Sequence, residues 1–570
     1  MNKFIAFFTT ERVIWLLVLW QLISVLLMAL GVWPQSIAWL SFGLLSVVIL
    51  FVRPFDALLL FIVSVPFYVV LPNPYFDSLS MWRPLVIILF VSWVLRMYVA
   101  QNKYLTKVFW VRKRMELSQS GAIPLLLERI DSRFMWWDKY AALFVLFAII
   151  SIIFARFPQE SIKQIIFLVN AYLLYIVVIN AITNKEQVKK LIHYLAASTG
   201  IIVALGFVQL VATFFASQYY FWQYWAIMVS SVYYGTGLAD ILAYSNSWFS
   251  YTGSTPSLRM FSIMPDSHSF GMVAVLLITF LIPLTYIYFK PGKSWRDPKV
   301  LITSKNYFLW NAIRLSGLAI IFSGTRGLWV GMLAPLFISG FFYLKNIARP
   351  VFKKAILAYV LVILFFVLSP FINQAFNFVR QAGSEEKFLD RAASIYDLRE
   401  SSNVGRLIIW KESLVYAVNH PLGVGYGNFI VSLVSDIPEG ASFEEAGKGK
   451  NLRYNLPQKF VTAHSLYLNI LVELGIVGLI AFGLFCFEFL RRAWKFIKYS
   501  RNDVLVYNAF VVMFTLTFLW FLAYGVFDVT IFNDKVLLYV FSALALSGII
   551  MRRYETLRQE EIVKGKQHNG

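Results

Sequence analysis

The chain has 570 residues, of which 59% are hydrophobic and only 14% charged. So little polar surface cannot cover a soluble core of that size, which excludes an ordinary globular protein and implies a polytopic membrane protein. The net charge of +21 is read as a topology signal, strengthened by anionic headgroups, rather than as a nucleic-acid footprint.

An apolar window of about 20 residues crosses a bilayer. Fourteen such windows lie near 13–33, 36–52, 56–72, 84–100, 140–156, 164–182, 192–216, 268–289, 307–324, 327–344, 355–372, 464–490, 505–526 and 535–551. The fold class expected is therefore an all-α integral membrane protein of about 12–14 transmembrane helices. The first window shows no small-residue cleavage site and is followed at once by a second, so it reads as a retained helix.

The organisation in chain order is N-terminal spans over 1–100, a basic loop over 101–139, and central spans over 140–372 that include an aromatic loop near 217–267. A large loop over 373–463, C-terminal spans over 464–551 and a tail over 552–570 follow. Basic residues crowd 101–139, "NKEQVKK" (184–190), "KPGKSWRDPK" (290–299), "KNIARPVFKK" (345–354) and "RRAWKFIKYSR" (491–501). These segments should face the cytoplasm. Both termini then lie inside, and the loops 217–267 and 373–463 lie outside. The sole cysteine, Cys486, sits inside a span, which excludes an intrachain disulfide and a cysteine-based metal site.

In the second outer loop the basic and acidic residues cancel, and loops of that length usually carry function. Within it, 404–418 is predicted helical from the spacing of Leu407, Trp410, Leu414 and Ala417, with Arg406 in the first turn and Asn419 before "HPLG" as the stop. The glycines after it, Gly423, Gly425 and Gly427, suit tight turns that let backbone approach a lipid, a sugar or another helix. A nucleotide loop is rejected because no strand precedes them.

In "FSGTRGLWVG" (322–331) a very short connection holds Arg326 at the outer surface, either as an interfacial anchor or as an anion ligand. In "VTAHSLYLNILVELGIVGLIAFGLF" (461–485) a continuous helix would put His464, Leu468, Leu471, Gly475 and Gly478 within about 40° of one line. Glu473 would lie about 180° away and ~13 Å deeper, bonded to a neighbouring helix rather than taking part in chemistry. His464 alone reads as a histidine satisfied at a membrane interface.

Taken together, His464-Ser465, nine residues, then Gly475-Ile-Val-Gly478 resembles the signature of the O-antigen ligase and polymerase family, membrane enzymes that move glycans off undecaprenyl pyrophosphate. Arg406 with Trp410 and "HPLGVGYGNF" looks like the family's arginine helix and turn, and "SGTRG" is similar to its Ser/Thr-x-x-Arg-Gly hairpin. "RMFSIMPDSHSFG" (259–271) resembles its Arg and Pro-Asn segment, with Pro265-Asp266 where Pro-Asn is usual.

The resemblance implies a metal-independent inverting glycosyltransferase with no cofactor. His464, Arg406 and Arg326 would be catalytic, the arginines as bidentate donors to pyrophosphate and the histidine, with a pKa near ~6.5, as base or orienter of the acceptor hydroxyl. Trp410, Gly425, Gly427, Asn428, Arg259 and Ser465 would bind substrate. No metal ligand set is expected, since no D-x-D and no cluster of His and carboxylate is visible on the outer side; Glu385-Glu386 and Glu444-Glu445 read as solvated surface. The partners implied are an undecaprenyl-pyrophosphate glycan, an acceptor glycan, lipid or protein, membrane lipids and other polysaccharide-assembly proteins, without nucleic acid. The location implied is the bacterial cytoplasmic membrane, with the active site on its outer face. A polymerase of lipid-linked repeats and a flippase of lipid-linked sugar are the competing functions. The aromatics of 217–258 would stack on sugars or anchor at the interface.

Overall fold

The computed structural model describes residues 10–73, 79–109, 135–243, 249–250, 257–288, 305–380, 401–435, 462–499 and 505–568. The basic stretch 290–299, most of 101–139 and the acid pairs Glu385-Glu386 and Glu444-Glu445 lie outside these residues. The protein is an all-α integral membrane protein. The only ladder among the described strands is two residues long, Phe249–Ser250 against Ser257–Leu258.

In chain order the principal helices are α1 (Thr10–Ala29), α2 (Ile37–Phe51), α3 (Pro54–Ser64), α4 (Trp82–Phe109), α5 (Asp138–Ile150), α6 (Pro158–Ala181), α7 (Lys185–Phe215) and α8 (Ser267–Ile287). They continue with α9 (Lys305–Phe322), α10 (Arg326–Leu344), α11 (Arg349–Arg380), α12 (Ser401–Asn419), α13 (Phe429–Ser435), α14 (Leu466–Tyr499), α15 (Leu505–Tyr524) and α16 (Asp534–His568). Among the described residues nine of them, α1, α6, α7, α8, α10, α11, α14, α15 and α16, are long and apolar enough to cross a bilayer.

Every one of the fourteen windows falls on a helix, but not every one makes a simple crossing. The window 56–72 is interrupted: α3 stops at Ser64, a 3-10 turn covers Val65–Phe67, and the chain runs on extended to a bridge between Val70 and Ser80. Pro66 explains the stop, because it lacks the N–H that the next turn needs. Residues Ala57 to Val63 are all fully buried, so α3 is a short core helix inside the bundle.

The centre of the bundle is α8, which is apolar on all sides and accordingly buried along its length. It packs against α7, α9 and α15. The N-terminus of α8 is capped by Asp266, whose Oδ1 accepts from Ser269 N–H at 2.7 Å and whose Oδ2 accepts from Ser269 O–H at 2.9 Å. At that same end of the bundle α9 turns into α10, α14 begins, α15 ends and α16 begins. Six helix ends thus converge there, and the residues between them form the candidate site.

Candidate functional site

His464 stands just before a helix rather than in its first turn. His464 has φ of 47°, and α14 begins at Leu466. This left-handed conformation costs a non-glycine residue about 1–2 kcal/mol, so it persists only where neighbours fix it. Trp410 Nε1 on α12 donates to the His464 carbonyl at 3.2 Å, and His464 N–H donates to Thr462 Oγ1 at 3.2 Å. On either side, Ala463 N–H donates to Asn469 Oδ1 at 3.2 Å and Leu466 N–H to the Gly525 carbonyl at 2.7 Å. The connection after α15 and the helix α12 therefore aim the imidazole together.

The helical line expected through His464, Gly475 and Gly478 does not exist. Gly475 has φ of 67° and ψ of −172°, which breaks α14 about two and a half turns below its start. The broken ladder exposes carbonyls, and the turn after α12 fills the gap. Val424 N–H donates to the Val472 carbonyl at 2.9 Å, Gly425 N–H to the Glu473 carbonyl at 3.0 Å, and Ile476 N–H to the Pro421 carbonyl at 3.3 Å. Contact is so close that a Cβ on Gly475 would lie 2.4 Å from the Pro421 carbonyl oxygen, and one on Gly423 would lie 2.4 Å from that of Glu473. The glycines of "HPLGVGYG" are thus there for backbone approach to another helix. The Glu473 carboxyl is tied to the same turn through Gly427 and Phe429 N–H groups and to the Asn469 side chain.

Three side chains that sequence reading passed over complete the site. Asp528, in the connection between α15 and α16, is buried, with its Oδ2 3.1 Å from His268 Nδ1 on α8 and its Oδ1 3.9 Å from His464 Nδ1. The latter is beyond hydrogen-bond length but within strong electrostatic reach. Tyr524 O–H donates to Asp528 Oδ2 at 3.0 Å and lies 2.6 Å from His268 Nδ1, while Val529 N–H donates to Asp528 Oδ1 at 2.7 Å. Contrary to expectation, histidine and carboxylate do cluster at this end. Their sequence separation hid it, since His268, His464 and Asp528 come from three different helix ends.

Two arginines, Arg406 and Arg259, act on this centre. Arg406, in the second turn of α12 because that helix starts three residues before its predicted beginning, interacts electrostatically with Asp528, His464, His268 and Tyr524. Arg259 holds the α9–α10 hairpin by donating from Nε to the Ser323 carbonyl at 3.2 Å, and its Nη2 is 3.4 Å from His268 Nε2. Thr325 O–H reaches the Ser267 carbonyl at 3.3 Å. Arg326 opens α10, and the next residue, Gly327, packs on Tyr524 and Phe527.

Charge and burial set the protonation states. Burial alone would raise the Asp528 carboxyl, but His268, His464 and Arg406 overcome it and hold Asp528 below the usual carboxylate range. Burial pushes the His464 imidazole down, Asp528 pulls it partly back, and Arg406 opposes its protonation, so the net shift is downward. At neutral pH His464 is a neutral imidazole able to accept a proton. Asp266 is pushed up to about 6, chiefly by burial.

The remaining expected residues fall into two sets. Trp410 and Arg259 lie in the site, and Ser465 is buried beside His464. Gly425 and Gly427 pack instead on Ala155 and Gln164. Asn428 clamps the start of α6, accepting from Phe157 N–H at 2.8 Å and donating to Ser161 Oγ at 2.7 Å. The helix predicted from the spacing of Leu407, Trp410, Leu414 and Ala417 is present as α12, on which Leu407 and Leu414 are about half exposed, whereas Ile409, Ser413 and Tyr416 are buried. Of the aromatic loop, Trp222, Trp225, Tyr233 and Tyr234 spend their polar atoms on backbone carbonyls, while Tyr219, Tyr220 and Tyr224 are exposed.

Among the described residues no group of three or more His, Cys, Asp or Glu is arranged to hold a metal ion. No curated protein matches the chain. Residues 312–483 match the family model O-antigen ligase, a stretch that contains Arg326, Arg406, Trp410, the turn and His464. Over this segment the chain is similar to the O-antigen ligase family, and its long apolar helices make it a multi-pass membrane protein.

Proposed function

We propose that the protein transfers a glycan from undecaprenyl pyrophosphate to an acceptor hydroxyl at the outer face of the bacterial cytoplasmic membrane, with both termini inside. The observation that carries this reading is the convergence of a neutral, strained His464, an ionised Asp528 and the Arg406 guanidinium where six helix ends meet. Arg406 and Arg326 provide planar, permanently charged donors suited to a pyrophosphate.

The reaction is an inverting displacement. The acceptor oxygen forms a bond to the anomeric carbon as the bond from that carbon to the phosphate oxygen breaks. The acceptor proton passes to His464, and the electron pair leaves on the pyrophosphate lipid, whose growing charge the arginines neutralise. Asp528 stabilises the imidazolium that forms. The base lies at a helix end rather than in the bilayer interior, so an acceptor can approach from the aqueous side and the lipid donor from the membrane.

The test is turnover of undecaprenyl-pyrophosphate glycan by the purified protein, wild type beside His464→Ala, with the released lipid and the glycan product both analysed. Release by the wild type and not by the mutant supports the proposal, and product size separates ligation of one block from polymerisation of many. Movement of intact donor across a bilayer, with no pyrophosphate lipid released, would sink it.

A further inference from the structure

At the end of the bundle opposite the site, a cavity of about 450 Å³ lies between α10, α11, α14 and α15. Its lining is apolar: Phe341, Phe342, Phe352, Trp494, Leu516 and Leu519 are representative. Phe342 anchors its mouth, with ring centroids 4.9 Å from Phe352 and 4.7 Å from Trp494. From Ile497, two residues before the end of α14, the lining reaches Leu519, more than halfway along α15. Phe337, Phe341 and Trp494 are each about half exposed or more. The cavity therefore opens sideways, toward the membrane.

The rim carries one sign of charge. Lys345, Arg349, Lys353 and Lys498 are exposed within a few residues of lining side chains. Arg349 lies over the Tyr343 ring at 4.8 Å, next to Phe342, and the Lys353 charge also acts on Tyr343. The acids of this end do not neutralise them: Glu488 is paired with Arg491 at 2.7 Å and Arg492 at 3.0 Å, and Glu555 with Arg492 at 2.9 Å. A basic rim over an apolar slot between membrane helices complements a lipid with an anionic headgroup.

We infer that this cavity is a binding site for an anionic glycerophospholipid of the cytoplasmic leaflet, with one acyl chain in the slot and the phosphate among Lys345, Arg349 and Lys353. Such a lipid would join α10 and α11 to α14 and α15. Those helices bear Arg326, the start of the His464 helix and Tyr524 at their other ends. The site is separate from the transfer chemistry and does not depend on it.

The test uses the full-length purified protein in mixed micelles, with phosphatidylglycerol and phosphatidylcholine of the same chain length as probes. Thermal unfolding and native mass spectrometry are the readouts. Wild type should retain phosphatidylglycerol with a preference on the order of tenfold and unfold at higher temperature in it. Lys345→Gln/Arg349→Gln/Lys353→Gln should abolish the preference but leave unfolding in phosphatidylcholine unchanged. If that triple variant does not fold, Lys353→Gln alone should reduce the preference. Ile338→Trp, which fills the slot, should reduce retention of both lipids. Equal retention of the two lipids by wild type, a preference that survives the charge changes, retention unaffected by Ile338→Trp, or a bound polyprenyl phosphate in place of phosphatidylglycerol would overturn the inference.

Discussion

Replacing Asp528 by Asn tests the electrostatic logic of the site with little change of shape. Asn retains an oxygen for Val529 N–H or Tyr524 O–H but removes the charge 3.9 Å from His464 Nδ1. At an effective dielectric of about 20, a unit pair at that distance is worth about 4 kcal/mol. His464 is 30% exposed, so solvent screening reduces this to about 2 kcal/mol. Asp528 favours the protonated imidazole, so its loss lowers the His464 pKa further. In turnover assays across pH 4–8, activity that requires neutral His464 rises with pH through the histidine pKa and then levels. Asp528→Asn should move that rise to lower pH and lower the plateau about tenfold, because a weaker base drives proton transfer less. A rise that stays in place or moves to higher pH, in a variant whose unfolding temperature is unchanged, would refute the reasoning.

Four further outcomes are expected. Asp266 has a folded pKa raised to about 6, so ionising it destabilises the fold progressively as pH climbs from about 4 to above 6, by up to about 3 kcal/mol. Asp266→Asn keeps the cap to Ser269 and should raise the unfolding temperature at pH 8 while flattening its fall between pH 5 and 8; a lower value at pH 8 would contradict this. Gly475→Ala must place a Cβ 2.4 Å from the Pro421 oxygen at positive φ and should cost at least about 2–3 kcal/mol. Gly483→Ala, which meets nothing within 4 Å, should be neutral by the same thermal measurement. Arg406→Lys should lose activity tenfold or more, since an ammonium lacks the planar fork, with full retention arguing against a bidentate pyrophosphate contact. Turnover should be unchanged in EDTA, and a loss restored by Mg²⁺ or Mn²⁺ would reveal a metal requirement.

Much was legible before folding. Every apolar window marked a helix because hydrocarbon demands length and hydropathy locally, and both are written in consecutive residues. His464, Arg406, Arg326 and Arg259 were visible because each stands in a short motif at a helix end. What stayed hidden depended on chain segments far apart. Asp528 and His268 carry no motif of their own, and only the packing of α8 against α15 brings them to His464. The periodicity argument through 464–485 failed at Gly475, because a pattern of residues does not report a broken ladder when another segment supplies its hydrogen bonds. The spacing of Leu407, Trp410, Leu414 and Ala417 revealed the helix α12 but not its inward face, because near a membrane both lipid and protein accept apolar residues. The sequence by itself determined the membrane class, the helices and the cationic motifs, since these follow from local transfer energies. The tertiary structure alone decided the strained histidine, its carboxylate partner and the glycine contact that seats the turn, since each is fixed by groups hundreds of residues away or on another helix.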